Sequence, residues 1–317
     1  MRSARPRAAD TSVFAIVRAE ELRIDLAHLS LAAKAWGDRS LPPLLALHGW
    51  LDNAGSFDAL APLLAEDRFV VALDLPGHGR SQHRPPGAHY HYVDYFDELR
   101  QVFDHFGWKR AGLLGHSLGG ALGAVFAAVY PDRVAELILI EGLGPLTTKP
   151  EDALKQLRAG LEERAASSGN ALRIYADAAA AAHARQRVNG LSEQAALTLT
   201  ERGLTKTDRG YTWSSDPRLM LPSLQRYTEA QIVSVLSGIR ARTLLILAEP
   251  ETHLVGAAAM SARIAQVADI EVARLPGNHH LHLENPHDVA DAIRAFLREK
   301  STRRTDADAT GDQPAGA

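Results

Sequence analysis

Gly115-His116-Ser117-Leu118-Gly119 sets a serine between two glycines where an apolar run, Ala111 to Leu114, gives way to a helical one, Gly120 to Val129. A serine on so sharp a strand-to-helix turn is held in a strained backbone conformation that lifts its hydroxyl clear of the sheet. Small flanking residues are needed to avoid a clash. The helix that follows aims its first amides at the same point. A glycine-rich turn can also serve only to tighten strand-helix packing, but strand, turn and helix together assign Ser117 as a nucleophile.

A hydroxyl is a weak nucleophile at neutral pH and needs a base, itself oriented by an acid that lies between serine and histidine in chain order. Gly277-Asn278-His279-His280-Leu281-His282-Leu283-Glu284-Asn285-Pro286 supplies imidazoles on a loop between the strand ending near Arg274 and the helix Val289 to Leu297. His279, just after the Gly277-Asn278 turn, is the expected base and His280 the runner-up; His282 reads better as solvated or as capping the next helix. No Asp follows the run Thr243 to Leu247, where the chain reads Ala248-Glu249-Pro250-Glu251-Thr252. Glu251 is therefore the first choice of acid. Glu249 on the same loop is a rival, as is Glu141, directly after Leu137 to Ile140. Chain order does not separate the three.

His48-Gly49-Trp50 follows the run Leu44 to Leu47, where a backbone amide would face the nucleophile. Trp50 and Leu118 are the expected oxyanion-hole donors, each worth on the order of a hundredfold to a thousandfold in rate. His48 reads as a scaffold for that loop, and Asp74 to Ser81 as a structural turn nearby. His78, His83, His89 and His91 invite a metal site, but no H-E-x-x-H or paired-carboxylate pattern accompanies them, so they read as solvated or pocket-lining and no metal ligand is assigned. The glycines from Gly115 to Gly123 lack dinucleotide-binding spacing, so no cofactor is implied.

The 317 residues are 46% hydrophobic and 23% charged, an ordinary soluble composition. Lys plus Arg at 35 against Asp plus Glu at 38 gives a net charge of -3, which provides no field for nucleic acid. There are no cysteines, which excludes disulfides and thiolate chemistry. The longest apolar run, Ala121 to Val129, is broken by Gly123 and is too short to span a bilayer. Met1 to Asp10 carries arginines but no signal-like apolar segment, which makes cytoplasm the default.

Nearly continuous apolar runs at Leu44–Leu47, Phe69–Leu73, Gly112–Leu114, Leu137–Ile140, Thr243–Leu247 and Ile270–Arg274 show the pattern of strands buried on both faces of a parallel sheet. Glu20–Ala27 and Leu29–Trp36 read as two flanking antiparallel strands. The class is α/β, doubly wound and mostly parallel. From about Pro145 to Gly238 the pattern is helical, with segments such as Glu151–Ala166 and Ser192–Arg202. The strands then resume, so this stretch reads as an inserted helical cap. The expected division is a tail at 1–19, a core at 20–144 and 237–300, the cap at 145–236, and a disordered tail at 301–317. Trp213, Leu219, Met220, Leu221, Leu224 and Tyr227 of the cap would face either core or substrate.

From about Leu22 to Leu297 the chain resembles the α/β-hydrolase fold superfamily, through His48-Gly49-Trp50, Asp74 to Ser81, Gly115 to Gly119, and His279 seven residues before Pro286. More narrowly, Leu47 to Asn53 with Gly115 to Gly120 resembles the serine hydrolase-like branch. The resemblance implies a pocket beneath the cap and a triad of Ser117, His279 and Glu251. The superfamily's Gly-x-x-Asp is replaced here by Ala248-Glu249-Pro250-Glu251. Haloalkane dehalogenase relatives carry Asp at the position of Ser117, which argues against dehalogenation, and some place a Glu after the earlier strand, which keeps Glu141 in play. The expected activity is cofactor-independent hydrolysis of a small-molecule carboxylic ester or related acyl compound through an acyl-enzyme. An acyltransferase and a catalytically idle ligand-binding or signalling protein are the alternatives.

Overall fold

Phe-Val-Val-Ala-Leu at 69–73 is buried at every position, as a strand must be when helices cover both faces of its sheet. The computed structural model describes residues 18–167, 173–252 and 255–308, so the expected tails lie outside the described residues at 1–17 and 309–317. The chain runs β1 (Glu20–Asp25), β2 (Ser30–Trp36), β3 (Pro43–Leu47), α1 (Ala61–Leu64), β4 (Phe69–Leu73), α2 (Asp94–His105), β5 (Ala111–His116), α3 (Leu118–Val129) and β6 (Val134–Ile140). Then come α4 (Ala153–Ala166), α5 (Ala178–Asn189), α6 (Glu193–Gly203), β7 (Leu204–Thr207), β8 (Gly210–Trp213) and α7 (Glu229–Leu236). It closes with β9 (Arg242–Glu249), α8 (Ala257–Ile264), β10 (Ile270–Pro276), α9 (Leu281–Glu284) and α10 (Pro286–Asp308).

Eight strands form one sheet in the order β1-β2-β4-β3-β5-β6-β9-β10. β1 pairs antiparallel with β2 and β2 antiparallel with β4; every other pairing is parallel. Alternate residues of each central strand feed opposite cores. Leu45 and Leu47 of β3 join Leu99 and Phe103 of α2 and Leu122 and Phe126 of α3. Leu44 and Ala46 face Leu64 of α1 and Ile293 and Phe296 of α10. This two-sided burial is why the central strands read as unbroken apolar runs. β10 departs from that reading: it is an edge strand with Glu271, Val272 and Arg274 exposed.

The insertion between β6 and β9 is not purely helical, because Leu204–Thr207 and Gly210–Trp213 pair as an antiparallel hairpin apart from the main sheet. Its last helix, α7, packs Ile232 and Leu236 into the core beside α3 and so belongs with the sheet's own helices. α10 continues to Asp308, past the boundary expected at 300; Arg298, Glu299, Lys300, Arg303 and Arg304 are good helix formers. Among the described residues no helix is long and apolar enough to cross a membrane.

Candidate active site

Ser117 has φ 50 and ψ -108, a conformation in which a non-glycine residue is strained. Its amide donates to the carbonyl of Ile140 at 2.9 Å, and Gly119 donates to that of His48 at 3.1 Å, so the elbow is stitched to the strands on either side. The flanking glycines are required by space. A Cβ at Gly119 would lie 2.0 Å from the Leu47 carbonyl oxygen, and one at Gly115 would lie 2.4 Å from the Gly119 backbone. α3 begins at Leu118, so its N-terminal amides converge on the serine.

The parallel pairing of β5 with β6 sets His116 opposite Ile140. The next residue of each strand, Ser117 and Glu141, thus emerges side by side at the C-terminal edge of the sheet. The following glycine, Gly142, comes so close that a Cβ there would lie 2.4 Å from the Ser117 carbonyl oxygen. Glu141 is itself at φ 55. Its Oε2 lies 3.2 Å from Nδ1 of His279 and accepts from Thr252 Oγ1 at 2.8 Å, while Oε1 accepts from the Ala248 amide at 2.6 Å. Burial pushes the Glu141 carboxyl up, but these hydrogen bonds, that of His279 foremost, hold it below the ordinary carboxylate range. A carboxylate can only accept, so Nδ1 of His279 carries the proton and Nε2 is left with its lone pair, as a base requires.

The structure does not bring Glu251 or Glu249 to the imidazole. Glu251 pairs with Arg274 at 3.2 Å on the surface, where β9 and β10 meet, and Glu249 is exposed at the end of β9. Glu249 ends β9 and Glu251 follows it, two strands removed from β5, whereas β6 is the direct neighbour of the strand that carries Ser117. His280 is turned away from Glu141, with Nε2 3.5 Å from Asp52 Oδ2. His282 is fully buried rather than solvated, and burial holds its imidazole well below the ordinary value.

His48 ties two loops: its Nε2 accepts from the Leu75 amide at 3.0 Å and its Nδ1 donates to the Gly49 carbonyl at 2.7 Å. Asp74 fastens the turn through the amides of Ala54 and Arg80, at 2.7 and 2.8 Å, and takes Arg202 of α6 at 2.8 Å. The four histidines at 78–91 do not gather. His78 is buried against His48, His83 bonds the Ser214 carbonyl, and His91 faces the cavity described next.

A cavity of about 790 Å³ opens over the elbow and is walled by Ser117, Glu141, Trp50 and Leu118 below. Leu219, Met220, Leu221, Leu224 and Tyr227 of the insertion form its roof. Trp213 is not among its walls; its indole donates to the Tyr175 hydroxyl at 3.3 Å within the insertion. The Trp50 indole donates across the cavity to the Leu219 carbonyl at 3.2 Å.

Residues 42–286 match the α/β hydrolase fold family. The chain belongs to that family. It is 33% identical to a serine hydrolase-like protein of Danio rerio over 297 residues, 91% of each chain. Among solved structures it resembles a hypothetical protein of Pseudomonas aeruginosa, with 40% identity, a TM-score of 0.84, and coverage of 89% of this chain and 99% of that one. It also resembles a thioesterase domain from the curacin biosynthetic pathway, with 27% identity, a TM-score of 0.76, and coverage of 87% and 99%. The family and its serine hydrolase-like branch support a hydrolase.

Sequence reasoning passed over two features of this α/β hydrolase. Thr252, which fixes the Glu141 carboxylate, has no local signal, since a threonine on a loop is commonplace. Asp52, His116 and His280 form a buried polar cluster beneath the elbow. Its traces in the sequence are that Asp52 and His116 sit inside the two motifs that carry the resemblance and that His280 stands beside His279 in the run after β10.

Proposed function

We propose that this chain is a cofactor-independent serine hydrolase that cleaves a carboxylic ester or related acyl compound through Ser117, His279 and Glu141. The single observation that supports this most is the strained Ser117 beside Glu141, whose carboxylate holds the Nδ1 proton of His279.

The steps follow from those positions. The Ser117 oxygen attacks the substrate carbonyl carbon while Nε2 of His279 takes the hydroxyl proton, and the imidazolium formed is stabilised by the Glu141 carboxylate. The oxyanion is met by the backbone amides of Leu118 and Trp50. Collapse expels the alcohol or thiol, which takes the proton from His279. Water, activated by the same imidazole, then splits the acyl-serine into acid and free Ser117. The apolar roof suits an acyl or alkyl chain of modest size, and the thioesterase relative puts thioesters among the compounds to try. An idle scaffold drew its sequence support from the want of a clear acid, and a carboxylate on His279 removes that support.

The test is covalent labelling by a fluorophosphonate. The native chain should label, Ser117→Ala and His279→Ala should not, and Glu141→Gln should label far more slowly than Glu251→Gln. A native chain that stays unlabelled while folded, or labelling that survives Ser117→Ala, overturns the assignment.

A further inference from the structure

Asp52, His116 and His280 are 1%, 1% and 4% exposed, and one ligand atom from each lies within 4.8 Å of the others. Asp52 Oδ2 is 3.5 Å from His116 Nδ1 and 3.5 Å from His280 Nε2. These separations are too long for hydrogen bonds, and both Asp52 Oδ2 and His116 Nδ1 are buried with no hydrogen-bond partner. The other nitrogen of His116 explains the stand-off. Its Nε2 lies 2.8 Å from the carbonyl oxygen of His279, which can only accept, so Nε2 must donate. In the neutral ring Nδ1 is then a bare lone pair, and it faces a carboxylate oxygen. Two acceptors turned toward each other in a buried site repel, and something positive between them relieves the repulsion.

We propose that Asp52 Oδ2, His116 Nδ1 and His280 Nε2 hold a divalent cation of the zinc class, with the fourth position left to solvent. Zn²⁺ bonds of about 2.0–2.1 Å at tetrahedral angles place neighbouring donors about 3.3 Å apart, close to both separations around Oδ2. Two of the three ligands have the outer contacts that metal ligands ordinarily have: His116 gives its second N–H to a carbonyl, and the second oxygen of Asp52 accepts from Arg185 Nη2 at 2.5 Å, while His280 Nδ1 is buried without a partner. Gly49 keeps the space open, since a Cβ there would lie 2.7 Å from His116 Nδ1 and 2.8 Å from Asp52 Oδ2. His282 closes the far side with its ring 4.1 Å from that of His116.

The three ligands come from the loop after β3, the end of β5 and the loop after β10. A cation here would tie the His279 loop to the elbow strand, a holding role distinct from acyl chemistry.

The full chain, stripped with a chelator, is titrated with Co²⁺ and with Zn²⁺. The expected result is one equivalent bound, the visible bands of four-coordinate Co²⁺, and a rise in Tm of several degrees with Zn²⁺. Asp52→Asn and His280→Gln should each lose the bands, while the paired change His89→Gln with His91→Gln, outside the cluster, keeps them. A native chain that takes up neither metal, or bands that survive His280→Gln, overturns the site. Fluorophosphonate labelling of the stripped chain needs no metal, so failure here and failure of the hydrolase reading are separately visible.

Discussion

Glu141 Oε2 lies 3.2 Å from Nδ1 of His279, a residue 138 positions further along the chain. Two strand ends create the pairing: β6 delivers the carboxylate next to the elbow, and the loop after β10 folds the imidazole back over it. Because Ala248 and Thr252 also bond this carboxylate, its orientation is set before any substrate arrives.

Replacing Glu141 by Gln should cost on the order of a thousandfold or more in kcat against a p-nitrophenyl ester, since the amide no longer fixes the imidazole tautomer or stabilises the imidazolium. Glu251→Gln, on an exposed pair with Arg274, should leave kcat within about twofold and stability within about 0.5 kcal/mol. Steady-state kinetics on the two variants side by side separate the carboxylates. Equal losses would remove the distinction.

Gly119→Ala should destabilise the chain by about 3 kcal/mol, because its methyl would sit 2.0 Å from the Leu47 carbonyl and force the elbow off β3. Urea denaturation gives the number. Gly190→Ala, where the backbone is left-handed but the added carbon meets nothing within 4 Å, should cost only about 1 kcal/mol.

Arg202→Met should lower stability by about 3 kcal/mol. The guanidinium is buried between Asp74, at 2.8 Å, and Glu21, at 2.8 Å, and its loss leaves the Asp74 carboxylate short of its countercharge. Because Arg202 rides on α6, proteolysis of the insertion should quicken in the same variant. Unchanged thermal and proteolytic behaviour would show that the clamp is not holding the insertion down.

Burial pulls His78 down to about 3 and His116 to about 4, and pushes His48 and His282 below the ordinary 6.5 as well. In each case the unfolded chain binds the proton more tightly, so stability is complete above about pH 6.5 and falls as the pH drops toward the folded-state values. For His78 and His116 the slope is about 1.4 kcal/mol per pH unit over that window. Thermal melts of the chelated chain should therefore show a markedly lower Tm at pH 5 than at pH 7.5. His282→Leu should flatten that fall.

Short-range rules govern the features that can be read along the chain. A serine between glycines at a strand-to-helix boundary can adopt few backbone conformations, so the strained turn at Ser117 is legible in the sequence. The same holds for the strands buried on both faces, whose side chains have no polar side to present, and for His279 on its glycine-led loop. Which groups distant in sequence become neighbours is settled by how the folded chain packs. Glu141, Glu249 and Glu251 are equivalent in chain order, and Glu141 is the one that meets His279 because β6, not β9, lies beside β5 in the sheet. Asp52, His116 and His280 carry no shared spacing, and they meet only because three strand ends converge on one edge. Edge exposure of β10, the β7–β8 hairpin and the length of α10 escaped for the same reason: partners across the fold, not local preference, settle where a strand is covered and where a helix stops.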